Sequence, residues 1–188
     1  MVNFLVHLDQ RLTFFLKNLF PHNNFFDLFF SFFSLTGGSF FIWVAVIVLI
    51  IILEELKNPG IQKTDRLFIL YSFLAFGLSY LLNEVLLKNI FHRFRPFYLS
   101  PHSYLPTSCP HDFSFPSTHA VTAFTMALII SHFDKKRRFF YYLIAFLIAY
   151  SRIYLGCHYF LDVFIGAILG SLISKIIINY PIFQHRKI

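Results

Sequence analysis

The chain alternates long apolar runs with short polar segments. An unbroken apolar run covers residues 40–53 and ends at Glu54-Glu55, after a Phe-rich segment that a Thr-Gly-Gly break at 36–38 interrupts. Four more apolar segments occupy residues 67–87, 118–133, 139–155 and 159–180. A helix needs about 20 apolar residues to cross a bilayer. The pattern therefore predicts an all-α, polytopic membrane helical bundle with five transmembrane helices, or six if the first helix also crosses.

Residues 1–20 have a different, amphipathic pattern, in which apolar side chains recur at helical spacing on one face. The apolar set is Phe4, Leu5, Leu8, Leu12, Phe15, Leu16 and Leu19. This pattern is typical of a helix that lies in the membrane interface. As a spanning helix the segment would bring Asp9, Arg11 and Lys17 into the bilayer, at about 3 kcal/mol for each charge near the centre. We therefore expect an N-terminal amphipathic interfacial helix.

The composition changes the picture only by excluding other classes of protein. The 188 residues are 57% hydrophobic and 13% charged, whereas a soluble domain has about 25% charged residues. No Gly/Ser/Pro-rich linker interrupts the chain, so we expect one domain over residues 1–188. The formal charge is +7, but the basic residues lie in loops and at the ends of apolar segments, as topology signals do. We expect no nucleic-acid partner and infer no obligatory protein partner.

The orientation follows from residues 134–138, the densest basic cluster in a short loop. The positive-inside rule places such a loop in the cytoplasm. Counting apolar segments from this loop places Ser117, Arg152 and His158 on the outer face, together with loop 88–116. Three polar clusters are thus predicted to meet at one membrane surface. A membrane structural protein, whose polar residues serve only as topology signals, does not explain this meeting.

The first two clusters suit an anion. Lys88 and Arg95 are cations that match phosphoryl oxygens, although one such residue alone commonly only reaches for lipid headgroups. Glu84 lies one turn before Lys88 and is placed to pair with it. Ser117 and Thr118 stand where a helix begins, and a helix N-terminus favours an anion. The same Pro-Ser-Thr pattern is also an ordinary helix start.

The third cluster carries a candidate nucleophile. His158 and Asp162 are four residues apart on one predicted helical face. A carboxylate near one imidazole nitrogen fixes the tautomer and leaves the other nitrogen as a nucleophile. The alternative is a satisfied polar contact, but ionisable groups at the ends of membrane helices are costly enough to favour a function.

The sequence predicts neither a metal nor another cofactor. Nine histidines are present, but the chain has no HExxH pattern and no carboxylate-rich set, and the cation cluster would repel a divalent ion. Cys109 and Cys157 lack metal-ligand spacing, and both are expected on the outer face. The simplest interpretation is two small residues; a disulfide is the alternative.

The three clusters resemble the motifs of the type 2 phosphatidic acid phosphatase superfamily, which includes membrane lipid phosphatases, glucose-6-phosphatase and vanadium haloperoxidases. The motifs lie within residues 88–162. One departure from the family pattern is Thr118, which stands where the family usually has Gly. The matching segments are Lys88-x6-Arg95-Pro96, Pro116-Ser117-Thr118-His119 and Ser151-Arg152-x5-His158-x3-Asp162.

The resemblance implies a role for each matched residue. His158 is expected to attack phosphorus and form a phosphohistidine, with Asp162 orienting it. His119 is expected to protonate the leaving oxygen and then to activate water. The residues expected to bind the substrate phosphate are Lys88, Arg95, Ser117, Thr118 and Arg152.

The resemblance also implies the reaction, a metal-independent hydrolysis of a phosphate monoester or diphosphate on a membrane lipid. The first choice is undecaprenyl diphosphate, converted to undecaprenyl phosphate, with the site facing the extracytoplasmic side of the bacterial cytoplasmic (inner) membrane. Lipid A, phosphatidylglycerol phosphate and phosphatidate are alternative substrates. A non-catalytic phospholipid-binding or transport protein is the alternative from a different class.

Overall fold

A computed structural model describes residues 2–35, 38–56, 59–60, 63–99 and 109–179. Within these ranges the regular structure is helical and no strand occurs. The main helices are α1 (Val2–Lys17), α2 (Asn24–Ser34), α3 (Gly38–Glu55), α4 (Lys63–Leu81), α5 (Lys88–Phe91), α6 (Thr118–Phe133), α7 (Arg138–Tyr154) and α8 (Phe160–Asn179). A π-helical turn, Leu82–Leu87, joins α4 to α5, and a 3₁₀ turn covers Pro96–Leu99.

Helix α6 is the centre of the bundle, packed among α4, α7 and α8. Most of its residues are buried, which suits a helix that is apolar on all sides. Helix α8 crosses it so closely that a Cβ atom on Gly170 would collide with the backbone of Val121. At this crossing Thr125 Oγ1 donates to the Gly170 carbonyl at 3.1 Å, and Ser174 Oγ donates to the Thr125 carbonyl at 2.9 Å. Small side chains and polar bridges therefore fix α8 against α6, as in other membrane helix pairs.

The predicted spans are partly matched by helices of spanning length. Among the described residues, two helices are long and apolar enough to cross a membrane, Asp65–Phe91 with 27 residues and Phe160–Asn179 with 20. The pair Asn24–Ser34 and Ser39–Glu55, bent by 77°, adds a third if it forms one span. Helices α6 and α7 have only 16 and 17 residues. The five or six spans, and the single domain, stay predictions; Thr36 and Gly37, at the predicted break, lie outside the described residues.

Helix α1 covers most of the N-terminal segment, and its burial pattern is unusual. Asp9 and Thr13 are buried against the rest of the protein, whereas large apolar side chains such as Phe4 and Phe15 are exposed. Apolar side chains that face outward suit a helix in contact with lipid. Its position in the membrane interface stays a prediction.

Candidate active site

The residues predicted from the three motifs lie at one end of the bundle, where α5 ends, α6 and α8 begin and α7 ends. Three of them, Ser117, Arg152 and Asp162, are fully buried and do not line the cavity found there. We call this cavity, of about 460 Å³, the site cavity. The predicted residues that line it are Lys88, Arg95, Thr118, His119 and His158.

Lys88 is positioned by the π-helical turn that precedes it. Such turns are frequent at functional sites because one extra residue per turn redirects the side chains that follow. Lys88 Nζ donates to Glu84 Oε1 at 2.8 Å, which confirms the predicted pair, and it also donates to the Asp112 carboxylate. Its side chain is only 4% exposed. Two carboxylates therefore hold a nearly buried ammonium beside the site cavity.

Arg95 is fully buried and links the outer loop to the third motif. Its guanidinium contacts the Asp112 side chain at 2.6 Å and His158 Nε2 at 2.8 Å. The remaining acceptors are the backbone carbonyls of Asp112, Phe113 and Cys157. A planar fork of donors with several fixed acceptors has little freedom to rotate. Arg95 is thus held in place beside the ring of His158.

A disulfide joins Cys109 to Cys157, with the two Cα atoms 5.4 Å apart. The alternative interpretation of these cysteines, a disulfide, is therefore the one that the structure contains. The bond ties the segment that carries Asp112 to the residue before His158. The sequence also predicts that loop 97–115 shapes the entrance for the lipid headgroup, with His102, Ser103, Tyr104, His111 and Asp112. Residues 100–108, and with them the first three of these side chains, lie outside the described residues.

The second motif begins α6 and contacts the third. The backbone N–H of Ser117 donates to the Asp162 carbonyl at 3.0 Å, so this N–H is already used. Its hydroxyl is buried and has no hydrogen-bond partner among the described residues. Thr118 Oγ1 donates to Glu84 at 2.5 Å and accepts from Asn83 Nδ2 at 2.7 Å. The threonine that replaces glycine thus satisfies its hydroxyl within the wall of the site cavity.

His119 is oriented by the backbone carbonyl of Leu35, at the end of α2, which accepts a hydrogen bond from its ring. The other ring nitrogen, Nε2, is buried and has no hydrogen-bond partner in the part of the chain that the structure describes. Because the bonded nitrogen carries the proton, Nε2 of the neutral ring has a free lone pair. His119 therefore offers a proton acceptor to the site cavity.

The contacts of His158 define its tautomer. Arg95 has donors only, so His158 Nε2, at 2.8 Å, accepts and the proton of the neutral ring lies on Nδ1. Nδ1 lies 3.5 Å from Asp162 Oδ2, which is longer than a hydrogen bond. Asp162 has the place predicted for an orienting carboxylate, but its short contacts are with Arg93 at 2.6 Å and with the backbone N–H of Tyr159 at 2.9 Å.

Electrostatics keep His158 neutral. Burial lowers the pKa of His158 well below its ordinary value, and the positive charges of Arg95, Arg152 and Lys88 lower it further. A neutral imidazole with a lone pair on Nε2 is the form that attacks an electrophile. The site thus combines a candidate nucleophile, a second histidine and two cations in one cavity.

The predicted role of Arg152 in binding the substrate phosphate stays a prediction. Its guanidinium donates to the carbonyl oxygen of Ser34 at 2.9 Å and to the Ser34 hydroxyl. It does not line the site cavity. Its charge lies close enough to influence His119 and His158. Arg152 thus ties α7 to the end of α2, and its charge lies near both histidines.

Several polar residues of the site lie outside the three motifs. Their only signal in the sequence is a polar side chain within or beside an apolar segment, which does not identify the partner. Glu84 was predicted only as a partner of Lys88, and it also accepts from Thr118. The others are Asp9, Asn83 and Arg93. Asp112 was predicted only as part of the loop at the headgroup entrance, and its contacts with Lys88 and Arg95 were not predicted.

Asp112 is expected to compete with the substrate. Burial alone would raise its pKa, but the hydrogen bond from Lys88 and the charges of Arg95 and Lys88 outweigh burial and lower it. The carboxylate is therefore ionised at neutral pH and occupies the donors of both cations. In Asp112→Asn we expect KM to fall about fivefold, since an ion pair at a partly exposed position is worth about 1 kcal/mol.

Steady-state kinetics of phosphate release checks this prediction. The matched control is Asp134→Asn, which removes a carboxylate from the loop between α6 and α7 and should leave KM unchanged. A raised KM in Asp112→Asn would mean that the carboxylate serves to hold the cations in position.

Among the described residues, no group of three or more His, Cys, Asp or Glu side chains is arranged to hold a metal ion. The absence of a metal from the reaction stays a prediction. The site cavity contains carboxylates, but each of those described above is paired with Lys88, Arg95 or Thr118.

Comparisons with a family model and with curated proteins support the resemblance that the three motifs indicate. A family model described as the PAP2 superfamily matches residues 68–186. An undecaprenyl-diphosphatase of Sulfolobus acidocaldarius is 33% identical over 138 residues, which are 73% of this chain and 62% of that protein. A lipid A 4'-phosphatase of Bacteroides thetaiotaomicron is 28% identical over 91% of this chain and 76% of its own length.

The fold is similar to that of a solved structure as well. The crystal structure of a transmembrane PAP2 type phosphatidylglycerolphosphate phosphatase from Bacillus subtilis superposes with a TM-score of 0.66, at 25% identity, over 99% of this chain and 90% of that one. The chain spans less than two thirds of the archaeal relative and about half the length of other curated relatives that it matches.

Proposed function

This chain belongs to the PAP2 superfamily, and from that premise we propose that it removes a phosphate group from a membrane lipid through a phosphohistidine intermediate. One observation carries the proposal. The lone pairs of His158 Nε2 and His119 Nε2, and the cations Lys88 and Arg95, belong to residues that line the same cavity. Each requirement of phosphoryl transfer is met there by a named group.

In the first step His158 Nε2 attacks phosphorus and the bond between phosphorus and the leaving oxygen breaks. The Arg95 N–H group that donates to His158 Nε2 donates instead to a phosphoryl oxygen, and Lys88 neutralises the charge on a second phosphoryl oxygen. The leaving oxygen keeps the bonding electrons and takes a proton from the protonated form of His119. Asp162 stabilises the charge that develops on the ring of His158.

In the second step water attacks the phosphorus of the phosphohistidine. His119 Nε2 accepts a proton from this water, the phosphorus–nitrogen bond breaks, and its electrons return to His158 Nε2. Inorganic phosphate leaves, and His119 is again protonated for the next substrate. Both histidines thus return to their starting states, and the cycle requires neither oxidant nor reductant.

A lipid substrate fits the walls of the site cavity. Phe40 on α3, and Phe76 and Tyr80 on α4, line the cavity beside the polar groups. A cavity with a charged end and an aromatic side suits a phosphate headgroup joined to an apolar chain. Apolar helices of spanning length place this protein in a membrane, where such a substrate is dissolved.

Undecaprenyl diphosphate is the substrate that we propose first. The named activity of the archaeal relative supports it, and so does the predicted orientation, which places the site on the extracytoplasmic side of a cytoplasmic membrane because residues 134–138 are basic. Lipid A and phosphatidylglycerol phosphate remain alternatives, supported by the named activities of two relatives. Phosphatidate remains an alternative through the family resemblance alone. A non-catalytic binding or transport protein would need the cations but neither His119 nor His158.

A lipid panel tests this function. Purified protein in detergent and EDTA is incubated with undecaprenyl diphosphate, phosphatidylglycerol phosphate, phosphatidate and lipid A, and released phosphate is measured. We expect release in EDTA, with kcat/KM for undecaprenyl diphosphate at least about tenfold above the others, which is a difference of about 1.4 kcal/mol. A preference for another lipid would replace the substrate. No release from any lipid by folded protein would favour the binding or transport alternative, and loss of activity in EDTA would contradict metal independence.

A further inference from the structure

A row of three charged side chains lies behind His158, outside the three motifs. Arg93 Nη1 donates to Asp162 Oδ1 at 2.6 Å, and Arg93 Nη2 donates to Asp9 Oδ2 at 2.5 Å. The side chains of Asp9 and Asp162 are fully buried, and that of Arg93 is 26% exposed. A single guanidinium therefore holds two buried carboxylates, one of which faces the candidate nucleophile.

Helix α1 supplies the far end of this row and also caps α8. The second oxygen of Asp9 accepts the backbone N–H of Leu161 at 2.9 Å, and Thr13 Oγ1 accepts that of Phe160 at 2.8 Å. Free N–H groups in the first turn of a helix require such acceptors. The first turn of α8, which carries Asp162, is thus fixed by side chains of α1.

Arg93 is restrained from a further direction. Its guanidinium carbon lies 4.1 Å from the centre of the Tyr159 ring, in the geometry of a cation–π contact. The backbone N–H of Tyr159 in turn donates to Asp162 Oδ2. Both oxygens of the Asp162 carboxylate therefore have a fixed donor. The side chain of Ser114 also donates to this carboxylate, and Arg93 is the charged partner among the groups that orient it toward His158.

Arg93 is not placed to bind the substrate phosphate. It does not line the site cavity; it lines a second, apolar cavity of about 520 Å³ between α1 and residues around Phe91. Its guanidinium is already paired with both Asp9 and Asp162. An effect of the Arg93 side chain on the reaction must therefore pass through the residues that it holds, and of these Asp162 is the one beside His158 Nδ1.

We infer that Arg93 and Asp9 are positioning residues for the reaction, which hold Asp162 so that it orients the His158 imidazole. This inference rests on the proposed function. It makes α1 part of the catalytic unit, because the carboxylate that completes the row comes from that helix. The row Asp9–Arg93–Asp162 then serves His158 as a buried support.

Kinetics of single and double variants test the inference. In Arg93→Gln we expect kcat to fall about 30- to 100-fold, the order that follows from misplacing a catalytic group by about 1 Å, with KM within about threefold of wild type. Arg93→Lys should recover part of the loss. Asp9→Asn should lower kcat less, because the Arg93–Asp162 pair survives.

The double variant Asp9→Asn/Arg93→Gln should be no slower than Arg93→Gln. Without Arg93 the two carboxylates repel each other, and removing one of them relieves the repulsion, so the effects do not multiply. Multiplying losses, a change confined to KM, or wild-type kcat in Arg93→Gln would overturn the inference.

Two control variants distinguish the positioning of Asp162 by Arg93 from a loss of packing between α1 and the rest of the protein. Arg11→Gln removes an exposed guanidinium from the same helix α1 and should have wild-type kinetics. Thr13→Ala removes the cap on Phe160 and leaves Arg93 paired, so it should lower the thermal midpoint while kcat stays within about twofold. An equal loss of kcat in Thr13→Ala would show that docking of α1, and not the row of charges, matters.

A crystal structure of Arg93→Gln tests the inference without a measurement of activity. We expect the Asp162 carboxylate to rotate away from His158 Nδ1; an unchanged separation would overturn the inference whether or not a substrate is found. Wild-type protein that releases no phosphate from any lipid would instead contradict the proposed function. The two failures are therefore distinct.

Discussion

Replacing His158 with alanine is expected to lower phosphate release by at least about 10⁴-fold, as loss of an enzymatic nucleophile does. Nε2 of His158 carries the lone pair that attacks phosphorus, and Arg95 holds this nitrogen beside the site cavity. His119 keeps its hydrogen bond to Leu35 and so does not occupy the place of His158. We therefore expect no alternative nucleophile in the variant, and phosphate release at the background of the assay.

The pH dependence of the wild type supplies a second readout. Burial and the neighbouring cations Arg95 and Arg152 lower the pKa of His158 well below its ordinary value. The ring loses its nucleophilic lone pair only below that lowered pKa, so it stays neutral as the pH falls from 8 to the ordinary value of a histidine, near 6.5. Activity should therefore not fall over this range through protonation of His158. A fall that follows an unperturbed histidine, near pH 6.5, would contradict the electrostatics described here.

The matched control for His158→Ala is His7→Ala, which removes an exposed histidine from α1. It should retain wild-type turnover. If His158→Ala retains activity while folded, the nucleophile is a different residue and the phosphohistidine mechanism is wrong.

The catalytic motifs were predictable because their signal is local. Lys88 and Arg95, and likewise His158 and Asp162, lie within one or two helical turns of each other, so spacing alone indicates that they share an end of a helix. Hydropathy and loop charge then place these ends at one surface. The contact of Arg95 with His158, separated by 63 residues, agrees with that placement.

The supporting residues were not predictable, because their partners are distant in the sequence. Asp9 and Arg93 are 84 residues apart, and in the sequence Asp9 only weakens the case for a spanning helix. Asp112 lies in a loop, where a carboxylate has many ordinary uses. Arg152 matches a motif, but its contact with Ser34 arises from the packing of α7 on α2. Tertiary packing decides these contacts, and hydrophobic periodicity carries no information about them.

Replacing His119 with alanine is expected to separate the two chemical steps. With undecaprenyl diphosphate the leaving group is a lipid phosphate, which departs without much help from an acid, so His158 should still be phosphorylated. Hydrolysis then lacks its base, and steady-state turnover should fall about 10²- to 10⁴-fold, the usual contribution of general acid–base catalysis. We therefore expect one rapid equivalent of lipid phosphate per enzyme, followed by slow turnover.

Rapid quenching with substrate that is radiolabelled in the terminal phosphate checks this prediction. The variant should accumulate labelled protein, and the label should survive base and be released by acid, as a phosphorus–nitrogen bond requires. Adding His158→Ala to His119→Ala should abolish the label. His132→Ala, at the opposite end of α6, should behave as wild type and show no accumulation.

The outcome also distinguishes the classes of substrate. A phosphate monoester has a lipid alkoxide as its leaving group, which requires the acid, so His119→Ala should block both steps with phosphatidate and give neither burst nor label. A burst with the diphosphate and none with the monoester would assign His119 to both proton transfers. Label from both substrates would restrict His119 to the hydrolysis step, because the first step would then need no acid. No label from either, in protein that still binds lipid, would contradict the covalent mechanism and leave direct attack of water within the site cavity.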